Sequence, residues 1–102
     1  MKSTPLGLYL RTLRKDRNET LHEVSRGTDI DSPLISKIER GDRLPTTAQA
    51  KKFAKYFKIS EKELLSQLTA EQIIKKYGAT KVTVEAISIV SEQISKYHRS
   101  KK

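Results

Sequence analysis

The chain has 102 residues, of which 35% are hydrophobic and 32% charged, and its 21 Lys and Arg against 12 Asp and Glu give a formal net charge of +9. That apolar share fills one modest core, and so basic a small body calls for a polyanionic partner, nucleic acid before an anionic membrane surface. The chain has no cysteine, which excludes disulfides, thiolate metal sites and Cys nucleophiles. His22 and His98 lie far apart in sequence and cannot by themselves make a zinc site. No apolar run approaches the roughly 18 residues that cross a bilayer, and the N-terminus has no signal-peptide pattern, so a soluble, cytoplasmic protein is expected. The basic excess leans toward the first half: 13 basic against 7 acidic residues in 1–60, and 8 against 5 in 61–102. Arg99, Lys101 and Lys102 make a small basic tail, which reads as a solvated end.

In chain order the sequence reads as short helices separated by turn signals, with no internal repeat and no strand of any length. A first helix over residues 6–16 follows Pro5, with Leu6, Tyr9, Leu10 and Leu13 on one face. A second opens on a capping box, Thr20 with Glu23, and ends near Gly27 or Thr28; Asp29 then stands where the chain must turn sharply. A third starts at Asp31 as N-cap, carries Leu34, Ile35 and Ile38 inward, and stops at Gly41. A fourth, capped by Thr46 or Thr47, runs to about residue 57 with Ala50, Phe53, Ala54 and Phe57 as its inner stripe. Ser60 with Glu63 caps a fifth, in which Leu64, Leu65 and Leu68 face in, and Thr69 with Gln72 caps a sixth, in which Ile73, Ile74 and Tyr77 do so. After Gly78, a seventh helix begins at Thr80 or Thr83. It carries the stripe Ile87, Val90, Ile94 and Tyr97, flanked by Val82, Ala86 and Ile89. The expectation is an all-α chain: a five-helix domain over residues 1–68 and a two-helix extension over 69–102.

The second and third helices, joined by a three- to four-residue turn, have the dimensions of a helix-turn-helix. Leu10-Arg11-Thr12-Leu13-Arg14, Thr20-Leu21-His22-Glu23-Val24-Ser25, Ile35-Ser36-Lys37-Ile38-Glu39-Arg40-Gly41, Leu44-Pro45-Thr46 and Ile59-Ser60 occur in that order. Together they resemble the Cro and lambda-repressor type of DNA-binding domain, the XRE family, over residues 6–68. Three positions depart from that pattern: Ser25 stands for the usual Ala, Asp29 for the usual turn Gly, and Lys58 for the Gly that ends the fourth helix. These departures bear on stability rather than on DNA reading.

The resemblance implies that the third helix enters the major groove with Ser32, Pro33 and Lys37 at base-contact positions. Lys37 suits guanine O6 and N7, Ser32 any base edge, and Pro33 a thymine methyl. It also implies a partly buried ion pair between Arg14 and Glu39, tying the first helix to the third. The start of the second helix, Thr20 and Leu21, has open N–H groups for a phosphate, and Ser36, Arg40 and Arg43 lie beside the DNA backbone. The other charges read as solvated surface: Arg11, Lys15 and Arg17 on or just after the first helix, with a phosphate contact as the lesser option, and Lys51, Lys52 and Lys55 on the fourth. His22 and His98 read as surface histidines.

No catalytic constellation, metal cluster or phosphate-cradling glycine loop is visible, and Gly7, Gly27, Gly41 and Gly78 read as isolated terminators, so no enzyme and no cofactor are expected. The stripe Ile87, Val90, Ile94 and Tyr97 is wide for a terminal helix and points to a homodimer surface, with folding back onto the domain as the other option. The expected function is sequence-specific recognition of double-stranded DNA by a dimeric repressor on a two-fold operator. Its rivals are an antitoxin-like autoregulator whose last helices bind a partner protein, or a controller of restriction–modification or mobile-element genes. Membrane binding is disfavoured because the last helix is uncharged from residue 87 to 90, and RNA binding because only 6% of residues are aromatic.

Overall fold

Capping chemistry sets the helix boundaries in the computed structural model of the protein, which describes residues 5–100. The elements are α1 Pro5–Asp16, α2 Leu21–Thr28, α3 Ser32–Arg40, α4 Thr47–Phe57, α5 Glu61–Tyr77 and α6 Lys81–Ser100. All regular structure among the described residues is helical, as the class expected from sequence requires. The first four residues, and Lys101 and Lys102 of the basic tail, lie outside the described residues.

Thr20 and Glu23 form a reciprocal capping box on α2, and Thr46 and Gln49 form another on α4. On α3 Asp31 occupies the N-cap position without a side-chain cap bond, and Pro33 in the first turn sets the backbone instead. Only half of the box expected at Ser60 is present: its hydroxyl accepts from the Glu63 N–H at 3.1 Å. Asp29 (φ 61°) and Lys58 (φ 58°) both take the left-handed conformation, where the resemblance would put glycine and where a β-carbon adds strain. Asn18 (φ 55°) is a third such residue, ending the turn after α1.

The expected break before Thr69 is absent, so the fifth and sixth helices of the sequence reading are one. Nothing from Leu68 to Glu71 breaks a helix, and the Thr69 hydroxyl donates to the Leu65 carbonyl at 2.9 Å instead of capping a new N-terminus. The chain divides into two compact units inside this helix, one ending at Gln72 and the other beginning at Ile73.

The first unit encloses one core. Leu6 and Leu10 of α1, Val24 of α2, Ile30 of the turn, Ile35 and Ile38 of α3, the α4 stripe, and Leu64 and Leu68 of α5 are all buried. Leu13, Leu34 and Leu65 pack half-buried against it, whereas Tyr9 stays 39% exposed at the rim. Gly7 and Gly27 terminate nothing; they lie inside α1 and α2. A β-carbon on Gly7 would collide with the carbonyl oxygens of Ile38 and Glu39, so this glycine is what lets α1 lie against the backbone of α3.

The N-terminus of α1 is held from far along the chain. The Glu71 carboxylate, only 9% exposed, accepts the Leu6 N–H at 2.7 Å, placing negative charge at the positive end of the helix dipole. A carboxylate arriving 65 residues later is invisible to any reading of local caps.

The second unit is a short hairpin of the end of α5 and all of α6. Gly78, at φ 86°, closes α5, and Thr80 caps α6 by accepting the Thr83 N–H at 3.2 Å. Thr83 is the buried polar residue here, its hydroxyl 3.3 Å from the Tyr77 carbonyl. Ile74 and Tyr77, expected to face inward, are 51% and 64% exposed, because no separate sixth helix turns them toward a core.

Candidate nucleic-acid interface

Residues of α2 and α3 alternate between a face that anchors and a face that is left open. Asp29-Ile30-Asp31 joins the two helices, and Ile30, 4% exposed, pins this turn into the core while Asp29 supplies the left-handed bend. On α3, Ile35 (1% exposed), Ile38 and Glu39 point inward. The helical period then leaves Pro33 and Lys37 exposed, one turn apart, with Ser32, Ser36 and Arg40 half-buried beside them.

The orientation of α3 is fixed by a planar, two-point ion pair. Arg14 Nε donates to Glu39 Oε2 at 2.8 Å and Nη2 to Oε1 at 3.0 Å, while Nη1 donates to the Glu19 carbonyl at 2.9 Å. The Arg14 and Glu39 side chains are only 11% and 7% exposed. Hydrogen bonding to Glu39 raises the Arg14 pKa above its ordinary value; burial opposes this, and the charge of Glu39 adds to it. The fork geometry allows one rotational setting of α3 against α1.

Two depressions flank Ser32. One, of about 560 Å³, is lined by Ser32, Pro33, Lys37 and Arg43 together with Ser25 and Asp31. The other, of about 720 Å³, is lined by Lys15, Asn18, Thr20, Leu21, His22 and Ser32, with Arg14 and Glu19 behind them. The fold therefore brings Thr20, Leu21, Ser32, Pro33, Lys37 and Arg43 onto one continuous strip. At the α2 end the capping box occupies the N–H groups of Thr20 and Glu23, and no acceptor among the described residues takes those of Leu21 and His22.

Ser36 and Arg40 are otherwise engaged. The Arg40 guanidinium donates to the Ser36 hydroxyl and pairs with Asp42 at 3.0 Å, so a phosphate there would have to displace a carboxylate. Arg17 is folded away: it donates to the Tyr56 carbonyl at 3.1 Å and lies 4.8 Å from the centre of the Tyr56 ring. Lys15, Asn18, His22 and Ser25 join the strip without having been singled out. The sequence marks Lys15 and His22 chiefly as surface, and the packing of α1 against the α2 turn shows which surface they belong to.

The chemistry of this strip is donor-rich and concave. No cluster of His, Asp and Glu that could hold a metal ion occurs among the described residues, and no helix there is long and apolar enough to cross a membrane.

Comparison with known proteins converges on the same part of the chain. A family model described as a helix-turn-helix domain matches residues 7–69. An uncharacterised HTH-type transcriptional regulator of Bacillus subtilis (strain 168), RghRB, is 38% identical over 64 residues, which are 62% of this chain and 46% of that protein. The chain thus spans less than half the length of this relative. No solved structure matches.

Proposed function

The chain belongs to the helix-turn-helix family of the lambda-repressor (XRE) type, a family of DNA-binding transcriptional regulators, and from that premise we propose that it is a sequence-specific, dimeric repressor acting in the cytoplasm. The observation that carries the reading is the exposed pair Pro33 and Lys37 on α3, with Ser32 half-buried beside them, set in one orientation by the Arg14–Glu39 pair. Such a row reaches base edges in the major groove, while the Leu21 and His22 N–H groups and Arg43 take phosphates on either side. Arg40 reaches a phosphate by exchanging Asp42 for it. One helix-turn-helix unit reads only a few base pairs, so two copies on two half-sites supply the affinity. Repression follows because it needs occupancy alone.

Selection of bound sequences from a random duplex pool tests the whole reading; it should return a two-fold symmetric site. Lys37→Ala should then cost about 1–3 kcal/mol on that site and relax one base position, with non-specific affinity nearly unchanged. Arg43→Ala should weaken binding to every sequence alike and reduce the salt slope by about one. A pool that returns no enriched sequence overturns the proposal.

A further inference from the structure

Along α6, Thr83, Ile87, Val90, Ile94 and Tyr97 follow one another at alternating spacings of four and three, a seam with a seven-residue period. Its flanks are Val84, Ser91 and His98 on one side and Ala86 and Gln93 on the other, with no Lys, Arg, Asp or Glu among them. Glu85, Glu92 and Arg99 repeat on the same period along the far side of the helix. In a chain of net charge +9 this face is uncharged, and its apolar residues stand open: Ile87 47%, Val90 51%, Ile94 51% and Tyr97 56% exposed. A face without charge is one that two copies of so basic a chain bring together without repulsion.

The seam is also self-complementary in shape. Its first half, with the end of α5, walls an apolar groove of about 460 Å³ between Ile73, Tyr77, Val82, Ala86, Ile87 and Val90. This unit holds only the last turn of α5, about 7.5 Å of helix against about 30 Å for α6, so Ile94 and Tyr97 project beyond the groove. One half of the face is a hollow and the other a ridge.

We propose that this face binds a second copy of the chain, α6 against α6 and antiparallel, with Ile94 and Tyr97 of each copy seated in the groove of the other. The proposal rests on the dimeric part of the function proposed above and names its interface. Antiparallel pairing about Val90 puts Thr83 level with Tyr97 and sets Ile87 within one residue, about 1.5 Å along the axis, of Ile94. A parallel pair would set ridge beside ridge and leave both grooves empty. The contact is isologous, the same patch used twice, and it closes at two copies.

The absence of native cysteine makes cross-linking clean. Full-length chains carrying Ile87→Cys and Ile94→Cys are prepared separately, then mixed and oxidised. The mixture should give a disulfide-linked dimer. Ile94→Cys alone should not, because antiparallel packing about Val90 sets its two copies about 12 Å apart along the axis, beyond the roughly 7 Å that a disulfide spans. Sedimentation of the cysteine-free chain should show a dimer, and Ile94→Asp, with helicity checked by circular dichroism, should raise the dissociation midpoint on the order of 100-fold. Cross-linking of Ile94→Cys alone as fast as the mixture overturns the antiparallel arrangement, and a cysteine-free chain that stays monomeric overturns the interface. Random-pool selection on the same samples separates the two proposals. A cross-linked dimer that enriches no sequence leaves the interface standing and removes the DNA reading; a monomer that still enriches a half-site does the reverse.

Discussion

Phe53 in α4 and Ile94 in α6 occupy equivalent places in their helices, each in the middle of an apolar stripe set by the same helical period. Phe53 is 1% exposed and Ile94 is 51% exposed. The first unit surrounds its stripes with other stripes: α1, α3, α4 and α5 each present one, and Ile30 closes the turn between α2 and α3. In the second unit a 20-residue helix meets one turn of α5, and Thr83 is its only residue buried among those described. Periodicity therefore states that a face is to be covered, and the number of neighbouring elements states whether the chain does the covering itself.

The comparison can be broken by experiment, beginning at the centre of the first unit. Phe53→Ala leaves a cavity that its buried neighbours cannot fill, and should cost about 3–5 kcal/mol in a urea melt. A loss below 1 kcal/mol would mean that the α4 stripe is as loosely held as that of α6. Glu39→Ala should cost about 3 kcal/mol, since it strands the Arg14 guanidinium with a single backbone partner in a site shielded from water. A melt unchanged from the parent would show that the pair does not fix α3.

Tyr56 gives a smaller effect and a pH signature. Its hydroxyl donates to Glu19 at 2.8 Å, and burial first, then this bond and the charge of Glu19, raise its pKa above the ordinary 10.0. The folded state thus favours the neutral phenol. Its contribution is fully present below pH 10 and is lost as the pH rises through 10 toward the folded value. Tyr56→Phe should cost about 1 kcal/mol at neutral pH and make the alkaline decline shallower; an identical decline in both proteins would remove Tyr56 as its source. The smallest effect belongs to the second unit. Ile94→Ala in dilute solution should change stability by less than about 0.5 kcal/mol, because half the side chain is already in water and Ala favours the helix. The cost should grow as the protein is concentrated; a loss of 2 kcal/mol at high dilution would mean that this chain buries Ile94 by itself.

Most of the first unit is legible because its signals are local. The Thr20–Glu23 box, the left-handed Asp29 and the glycine stop at Gly41 each act within four residues, and the buried stripes of α3 and α4 repeat at the helical period. The misreadings share one cause. Thr69 with Gln72 has the spacing of a capping box, yet a box requires the chain to leave the helix first, and nothing between Leu68 and Glu71 makes it do so. Gly7 looks like a weakness in α1 until the carbonyls of Ile38 and Glu39 are seen beside it. On the candidate site, Arg17 and Lys15 read alike as surface charge; Tyr56, from a helix far along the chain, draws Arg17 away and leaves Lys15 on the strip.

Most helix boundaries, the apolar faces, the basic charge and the order of Ser32, Pro33 and Lys37 along α3 can be read from the sequence alone. Those properties depend on hydrogen bonds and side-chain order within one or two turns. Long-range packing sets the rest: Glu71 holds the start of α1, and the stripe of α6 is left open. Each of those depends on which side chain arrives from a distant part of the chain, and on whether any arrives at all.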